Sequence, residues 1–164
     1  MPTQSVDTNV LLRAAIDLGD SQTDQARNLL ALADHTFRAE PIVFAEFVYA
    51  LTTHYGLTRQ QAGTLVRWVL AIESVDCDRN TLTAATAMFE SHPKLSFEDC
   101  LLAEQAASHG ALPLWTFDQK LARQHPAARL VGRMEHGWMP SKATTKPTPS
   151  PESAPPAVKD TRDL

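Results

Sequence analysis

The sequence predicts an α/β protein, a three-layer α/β/α sandwich around a central parallel sheet. Three observations lead there. The chain has 164 residues, within the roughly 100–200 residues typical of one domain. Its hydrophobic fraction of 43% and charged fraction of 21% are those of a globular protein, not of a collagen, a coiled coil or a disordered chain. Short extended segments alternate with longer segments of helical period, and strands joined through helices run parallel with helices covering the sheet.

The elements follow in order. Gln4–Val6 reads as a short strand despite its polar residues. From Thr8, TNVLLRAAIDLG reads as a helix, with Val10, Leu11 and Ala14 on one face and Gly19 closing it. Asp20 and Ser21 cap a second helix ending near Asp34, in which Ala26, Leu29, Leu30 and Ala33 have helical spacing. His35–Ala39 is a strand. Pro41 suits the first turn of a helix that runs to Tyr55, before Gly56. Thr58 caps the next helix, to about Glu73. Val75–Cys77 is a strand, Arg79–Glu90 a helix, and Ser96–His109 a helix closed by Gly110. Leu112–Trp115 is an apolar strand, Asp118–Gln124 a short helix, and Arg129–Val131 a last strand.

Residues 140–164 differ from the rest. They hold six of the eleven prolines, no glycine and no aromatic residue, and cannot bury enough apolar surface to offset the entropy of ordering. The expectation is one domain over residues 1–139 and a disordered Pro-rich tail over 140–164. With four of the fifteen basic and three of the nineteen acidic residues in that tail, residues 1–139 carry eleven against sixteen, a formal −5. That balance argues against a protein that grips nucleic acid by phosphate neutralisation alone. It leaves room for an enzyme whose acidic residues hold metal cations. Cys77 and Cys100 are too few for a zinc site and lack CxxC spacing. MPTQSVDTNV has no basic segment followed by an apolar stretch, and no apolar run approaches the roughly 18–20 residues of a membrane span. The expected setting is therefore cytoplasmic, with no membrane partner.

In open parallel sheets the site lies beyond the carboxyl ends of the strands. Asp7 follows the first strand and Asp118 the fourth, so both are expected at one sheet edge. Glu46 and Asp99 lie inside helices. Ile42, Val43, Tyr49 and Ala50 surround Glu46 at helical spacing, and Leu95, Ser96, Leu102 and Ala103 surround Asp99. No Lys or Arg stands at helical spacing from either. Glu104 passes the same filter. Any one of these acids taken alone is more often a cap, a turn residue or a surface group. Several sharing an edge without basic partners would repel one another, which a divalent cation relieves. Hard oxygen ligands select Mg²⁺ or Mn²⁺, and such a centre suits metal-assisted phosphodiester hydrolysis.

Four segments carry a family resemblance. SVDTNVLLR with Asp7, Thr8 and Asn9, PIVFAEFVYAL with Glu46, SFEDCLLAEQA with Asp99, and WTFDQKLAR with Asp118 resemble the acidic motifs of PIN-domain ribonucleases. The VapC-type toxins of bacterial toxin–antitoxin pairs are the nearest match. The resemblance covers about residues 3–133, in order and spacing. Two features depart from it: Ser96 stands where many relatives have another Asp, and Gln4 and Ser5 are polar. The resemblance implies a PIN-like fold and a Mg²⁺- or Mn²⁺-dependent endoribonuclease. It implies that Asp7, Glu46, Asp99 and Asp118 hold the metal and carry catalysis, with Asn9 and Thr116 orienting the carboxylates or bound water. It also implies RNA as substrate, a cognate antitoxin as partner and a homodimer. The alternative is a catalytically inactive PIN-like module for RNA binding or assembly.

The remaining residues add little chemistry. Six scattered histidines suggest no catalytic imidazole, and GxGxxG and P-loop patterns are absent. Arg13, Lys120 and Arg123 read first as solvated helix surface, with flanking the site and meeting phosphates as the second reading. Phe44, Phe47, Tyr49, Leu65 and Trp68 divide between core and an exposed face for a second copy or an antitoxin helix.

Overall fold

A computed structural model describes residues 3–17 and 19–132. The expected tail at 140–164 lies outside the described residues. The chain begins with β1 (Thr3–Ser5), α1 (Thr8–Ala15) and α2 (Ser21–Leu30). It continues through β2 (Thr36–Arg38), α3 (Pro41–Thr53), α4 (Arg59–Leu70), β3 (Val75–Asp76) and α5 (Arg79–Ser91). It closes with α6 (Phe97–Ser108), β4 (Leu114–Thr116), α7 (Gln119–Gln124) and β5 (Ala128–Leu130). The predicted order of strands and helices stands as expected.

The helix starts follow from local chemistry. Asp7, Asp20, Thr58, Asp78, Ser96 and Asp118 each accept a backbone N–H of the following first turn, satisfying donors that have no partner inside the helix. Pro41 opens α3 in the first turn, where a missing N–H costs nothing.

The strands are parallel throughout, in an α/β sandwich. They form two ladders instead of one continuous sheet. The first has the order β1-β2-β3, pairing Gln4 with Phe37 and Phe37 with Val75. The second pairs β4 with β5. Strands of two or three residues offer few ladder bonds, so helix packing carries most of the stability. β1 is exposed along its length at the edge of the first ladder, which explains its tolerance of Gln4 and Ser5.

Phe37 in β2, Phe44 and Phe47 in α3, Val66 and Val69 in α4, and Phe97 in α6 are all at most 1% exposed. Burying each contributes roughly 1.5–3 kcal/mol. Phe44 and Phe47 thus belong to the core, while Tyr49 and Trp68 are exposed at 53% and 41%. Helices α4 and α5 approach closely at Gly63, where a Cβ would overlap the Glu90 carboxylate. That carboxylate makes a two-pronged ion pair with Arg67, at 2.8 and 3.0 Å. No helix among the described residues is long and apolar enough to cross a membrane.

Candidate active site

Asp7 leaves β1 through Val6 and caps α1. Its Oδ1 accepts the Val10 N–H at 3.1 Å. The next residue, Thr8, turns its hydroxyl toward α3 and donates to Glu46 Oε2 at 2.6 Å, with the Val43 carbonyl a second acceptor at 3.4 Å. The segment after the first strand is thereby tied to Glu46, 38 residues away. Asn9, expected to orient a carboxylate, is exposed. The carboxylate contact from this segment comes from Thr8. The sequence offered no direct signal for this, since the bond depends on how α1 crosses α3.

Asp118 follows β4 and caps α7. Its Oδ1 accepts the N–H groups of Lys120 at 2.7 Å and Leu121 at 3.3 Å. Thr116 Oγ1 accepts the Asp118 N–H at 2.9 Å, so Thr116 holds the acid through its backbone. Asp99 sits in the first turn of α6 in a reciprocal box with Ser96. Ser96 Oγ accepts the Asp99 N–H at 3.1 Å, and Asp99 Oδ2 accepts the Ser96 N–H at 3.4 Å. Ser96, a departure from the motif in sequence, serves here as the cap.

The turn before Ser96 is fastened by Arg59. Its guanidinium donates to the carbonyls of Phe89 at 2.9 Å, His92 at 3.0 Å and Leu95, and lies 3.7 Å from the Phe89 ring centre. Burial holds the Arg59 pKa below its ordinary value. A cleft of about 320 Å³ adjoins this turn, lined by Tyr49, Thr52, Thr58, Phe89, Ser96 and Glu98 among others.

The apolar neighbours at helical spacing do not bury Glu46. Glu46 is exposed, and its neighbours Ile42 and Tyr49 are 64% and 53% exposed. Ile42 and Tyr49 therefore face outward with Glu46, while Val43 is half-buried and Ala50 belongs to the core. Helical spacing identifies a shared face without saying which side another element covers. Asp7 and Asp118 are also exposed, and Asp99 is half-buried. Their local role is capping, the reading each acid allowed when taken alone. Among the described residues no group of three or more His, Cys, Asp and Glu side chains stands where it could hold a metal ion.

The four acids nevertheless share one condition. Each anchors a single oxygen. Among the described residues the second oxygen of each accepts no hydrogen bond, and none of the four is in an ion pair. Elsewhere Arg13 pairs with Asp20, Arg38 with Asp76 and Arg67 with Glu90, so Arg13 is spent on a neighbour. Taken singly, these oxygens are the hard donors that Mg²⁺ and Mn²⁺ take, although the described residues bring no three such side chains together around one point.

Glu104 is set apart by a partner invisible in sequence. Its Oε1 lies 3.1 Å from Nε2 of His125, a residue only 3% exposed. His125 Nδ1 accepts the Ala127 N–H at 3.2 Å, so Glu104 ties α6 to the turn before β5. Cys77 and Cys100 are buried. Burial pushes the Cys100 thiol up to about 12 and raises that of Cys77, which leaves both as inert core groups.

A family model described as PIN domain matches residues 5–125. No curated protein matches the chain.

Proposed function

The chain belongs to the PIN-domain family, and from that membership we propose that it is a Mg²⁺- or Mn²⁺-dependent endoribonuclease, the toxin of a VapC-type toxin–antitoxin pair. PIN domains are commonly nucleases, and PIN nucleases generally bind RNA. The supporting observation is the common state of Asp7, Glu46, Asp99 and Asp118. Each has one oxygen held and one open, and none is in an ion pair among the described residues.

In this reading those four carboxylates would hold the metal. When bound, the metal would supply a polarised water as nucleophile and offset charge on the phosphate in the transition state. The chain itself supplies positioning. Thr8 restrains Glu46 through its hydroxyl, Thr116 restrains Asp118 through the backbone, and Ser96 restrains Asp99. Asn9, beside the Asp7–Thr8 pair, orients a carboxylate or a bound water. The ribonuclease domain spans residues 1–139 and acts in the cytoplasm. A homodimer and an antitoxin are its partners, with exposed Ile42, Tyr49 and Trp68 offering them apolar surface.

The test is direct. Purified protein is mixed with RNA in Mg²⁺, Mn²⁺ or EDTA, and wild type is compared with Asp7→Asn. Cleavage that depends on metal and vanishes in the variant is expected. Cleavage that survives EDTA or the substitution rejects the mechanism. RNA binding without cleavage in any metal would favour the inactive RNA-binding or assembly module. For the toxin role, induced expression arrests growth with wild type and not with Asp7→Asn, and a small protein from an adjacent reading frame relieves the arrest.

A further inference from the structure

Arg59 opens α4, where its own helix disfavours it, since a cation in a first turn meets the positive end of the helix dipole. Its guanidinium reaches instead to the carboxyl end of α5, the negative end of another helix. The sequence there creates a need. In a continued helix the Phe89 carbonyl would accept the N–H of residue 93, but Pro93 has none. Arg59 Nε takes its place, donating to the Phe89 carbonyl at 2.9 Å. Arg59 Nη2 donates to the carbonyls of His92 at 3.0 Å and Leu95. Meeting these acceptors from fixed corners of one plane is guanidinium geometry, which an ammonium lacks.

The bond to Leu95 reaches further than the turn. The Leu95 carbonyl and the Ser96 N–H belong to one peptide unit, which is planar and stiff. Arg59 holds its oxygen, and Asp99 Oδ2 accepts its N–H at 3.4 Å. A hydrogen bond on a carbonyl polarises the N–H of the same peptide. Arg59 thus acts on the Asp99 carboxylate across one peptide plane, with no ion pair between them among the described residues. A packed path runs alongside. The guanidinium lies 3.7 Å from the centre of the Phe89 ring, which meets Phe97 edge-on at 5.6 Å, two residues before Asp99.

Glu46 and Asp99 sit on different helix pairs. Glu46 is on α3, which packs on α4, and Asp99 is on α6, which packs on α5. Among the described residues two side chains of α4 bond to α5 or the turn after it. Arg67 meets Glu90 in the body of α5, whereas Arg59 reaches the turn that presents Asp99.

We propose that Arg59 is a positioning residue for Asp99: through the Leu95–Ser96 peptide it fixes the direction of that carboxylate and ties it to the helix pair carrying Glu46. The proposal rests on the ribonuclease reading and deepens it.

The test compares the full chain with Arg59→Lys and Arg67→Gln. Lysine retains the charge and the apolar stem without the planar fork. In Arg59→Lys, kcat for RNA cleavage in Mn²⁺ falls about 10- to 100-fold, the usual loss when a group orienting a metal-binding carboxylate is removed, while KM stays within about twofold. In EDTA the Ser96 N–H exchanges with solvent faster than in wild type. Arg67→Gln breaks a tie between the same helices away from the turn. It lowers the melting temperature and leaves kcat and Ser96 exchange at wild-type values. Rates are taken below the melting temperature of each protein. In wild type, the Arg59 Nη–H and Ser96 N–H protons both exchange slowly, a reading that no variant's folding affects.

A wild-type kcat in Arg59→Lys overturns the proposal. So does an equal loss of kcat in Arg67→Gln, which would make Arg59 one structural tie among others. Fast exchange of either proton in wild type overturns it as well. If wild type cleaves RNA and these comparisons fail, only the role of Arg59 falls. If wild type cleaves no RNA, the ribonuclease reading falls and takes that role with it.

Discussion

The Thr8 hydroxyl donates to Glu46 Oε2 at 2.6 Å, joining the first turn of α1 to the outward face of α3. If Glu46 works in catalysis, this bond determines where its carboxylate waits. Thr8→Val keeps the side-chain shape and removes the donor. We expect activity to fall about 10- to 100-fold, the usual effect of losing a group that orients a metal-binding carboxylate. Stability should fall by only about 0.5–1.5 kcal/mol. Thr8→Ser should recover most of the rate. Cleavage rates across a Mn²⁺ titration, beside thermal melts, decide the matter; identical curves for Thr8→Val and wild type would sink it.

Asp7 has two separable duties. As the α1 cap it accepts the Val10 N–H, and Asn caps a helix about as well as Asp. Asp7→Asn should therefore match wild-type stability while losing cleavage. Asp7→Ala should lose cleavage and also about 1 kcal/mol from the missing cap. Urea denaturation read beside RNA cleavage separates the two duties.

Glu104 should behave in the opposite way. Glu104→Ala leaves the buried His125 Nε2 without its partner, at a cost of about 1–3 kcal/mol. Glu104→Gln retains an acceptor and should cost less. Cleavage per folded molecule should be unaffected by either. A Glu104→Ala protein of normal stability and no activity would place Glu104 among the catalytic acids instead.

Acid stability depends in part on Asp78, the α5 cap. The Thr81 hydroxyl and backbone N–H hold its carboxyl below the usual carboxylate range. A pKa depressed in the folded state stabilises the protein above the unfolded value and ceases to do so as pH falls through the folded one. Wild type should lose this contribution below about pH 4, whereas Asp78→Asn keeps the cap without titrating. Melting temperature recorded from neutral to acid pH should fall more gently in the variant; parallel curves would remove Asp78 from the account.

Much of the fold was legible because its signals are local. A cap and the N–H it accepts lie two or three residues apart, as at Asp20, Thr58 and Ser96, and apolar spacing marked the helix bodies. The second ladder was less legible. Strands of three residues carry little periodic information, and their pairing depends on helices packed elsewhere. Within the candidate site, motif order marked Asp7, Glu46, Asp99 and Asp118. The anchoring contacts of Thr8 and Arg59 are not legible in sequence, because their partners lie 38 and 30 or more residues away.

The amino-acid sequence alone determined the alternation of strand and helix, the helix starts and the family motifs, since these depend on neighbours within a turn or two. Tertiary structure alone decided which faces meet water. It turned Ile42, Glu46 and Tyr49 outward, gave Glu104 to His125, and left Phe117 open to water beside Asp118. Exposure is a property of what packs on top of a residue, and no local pattern contains that information.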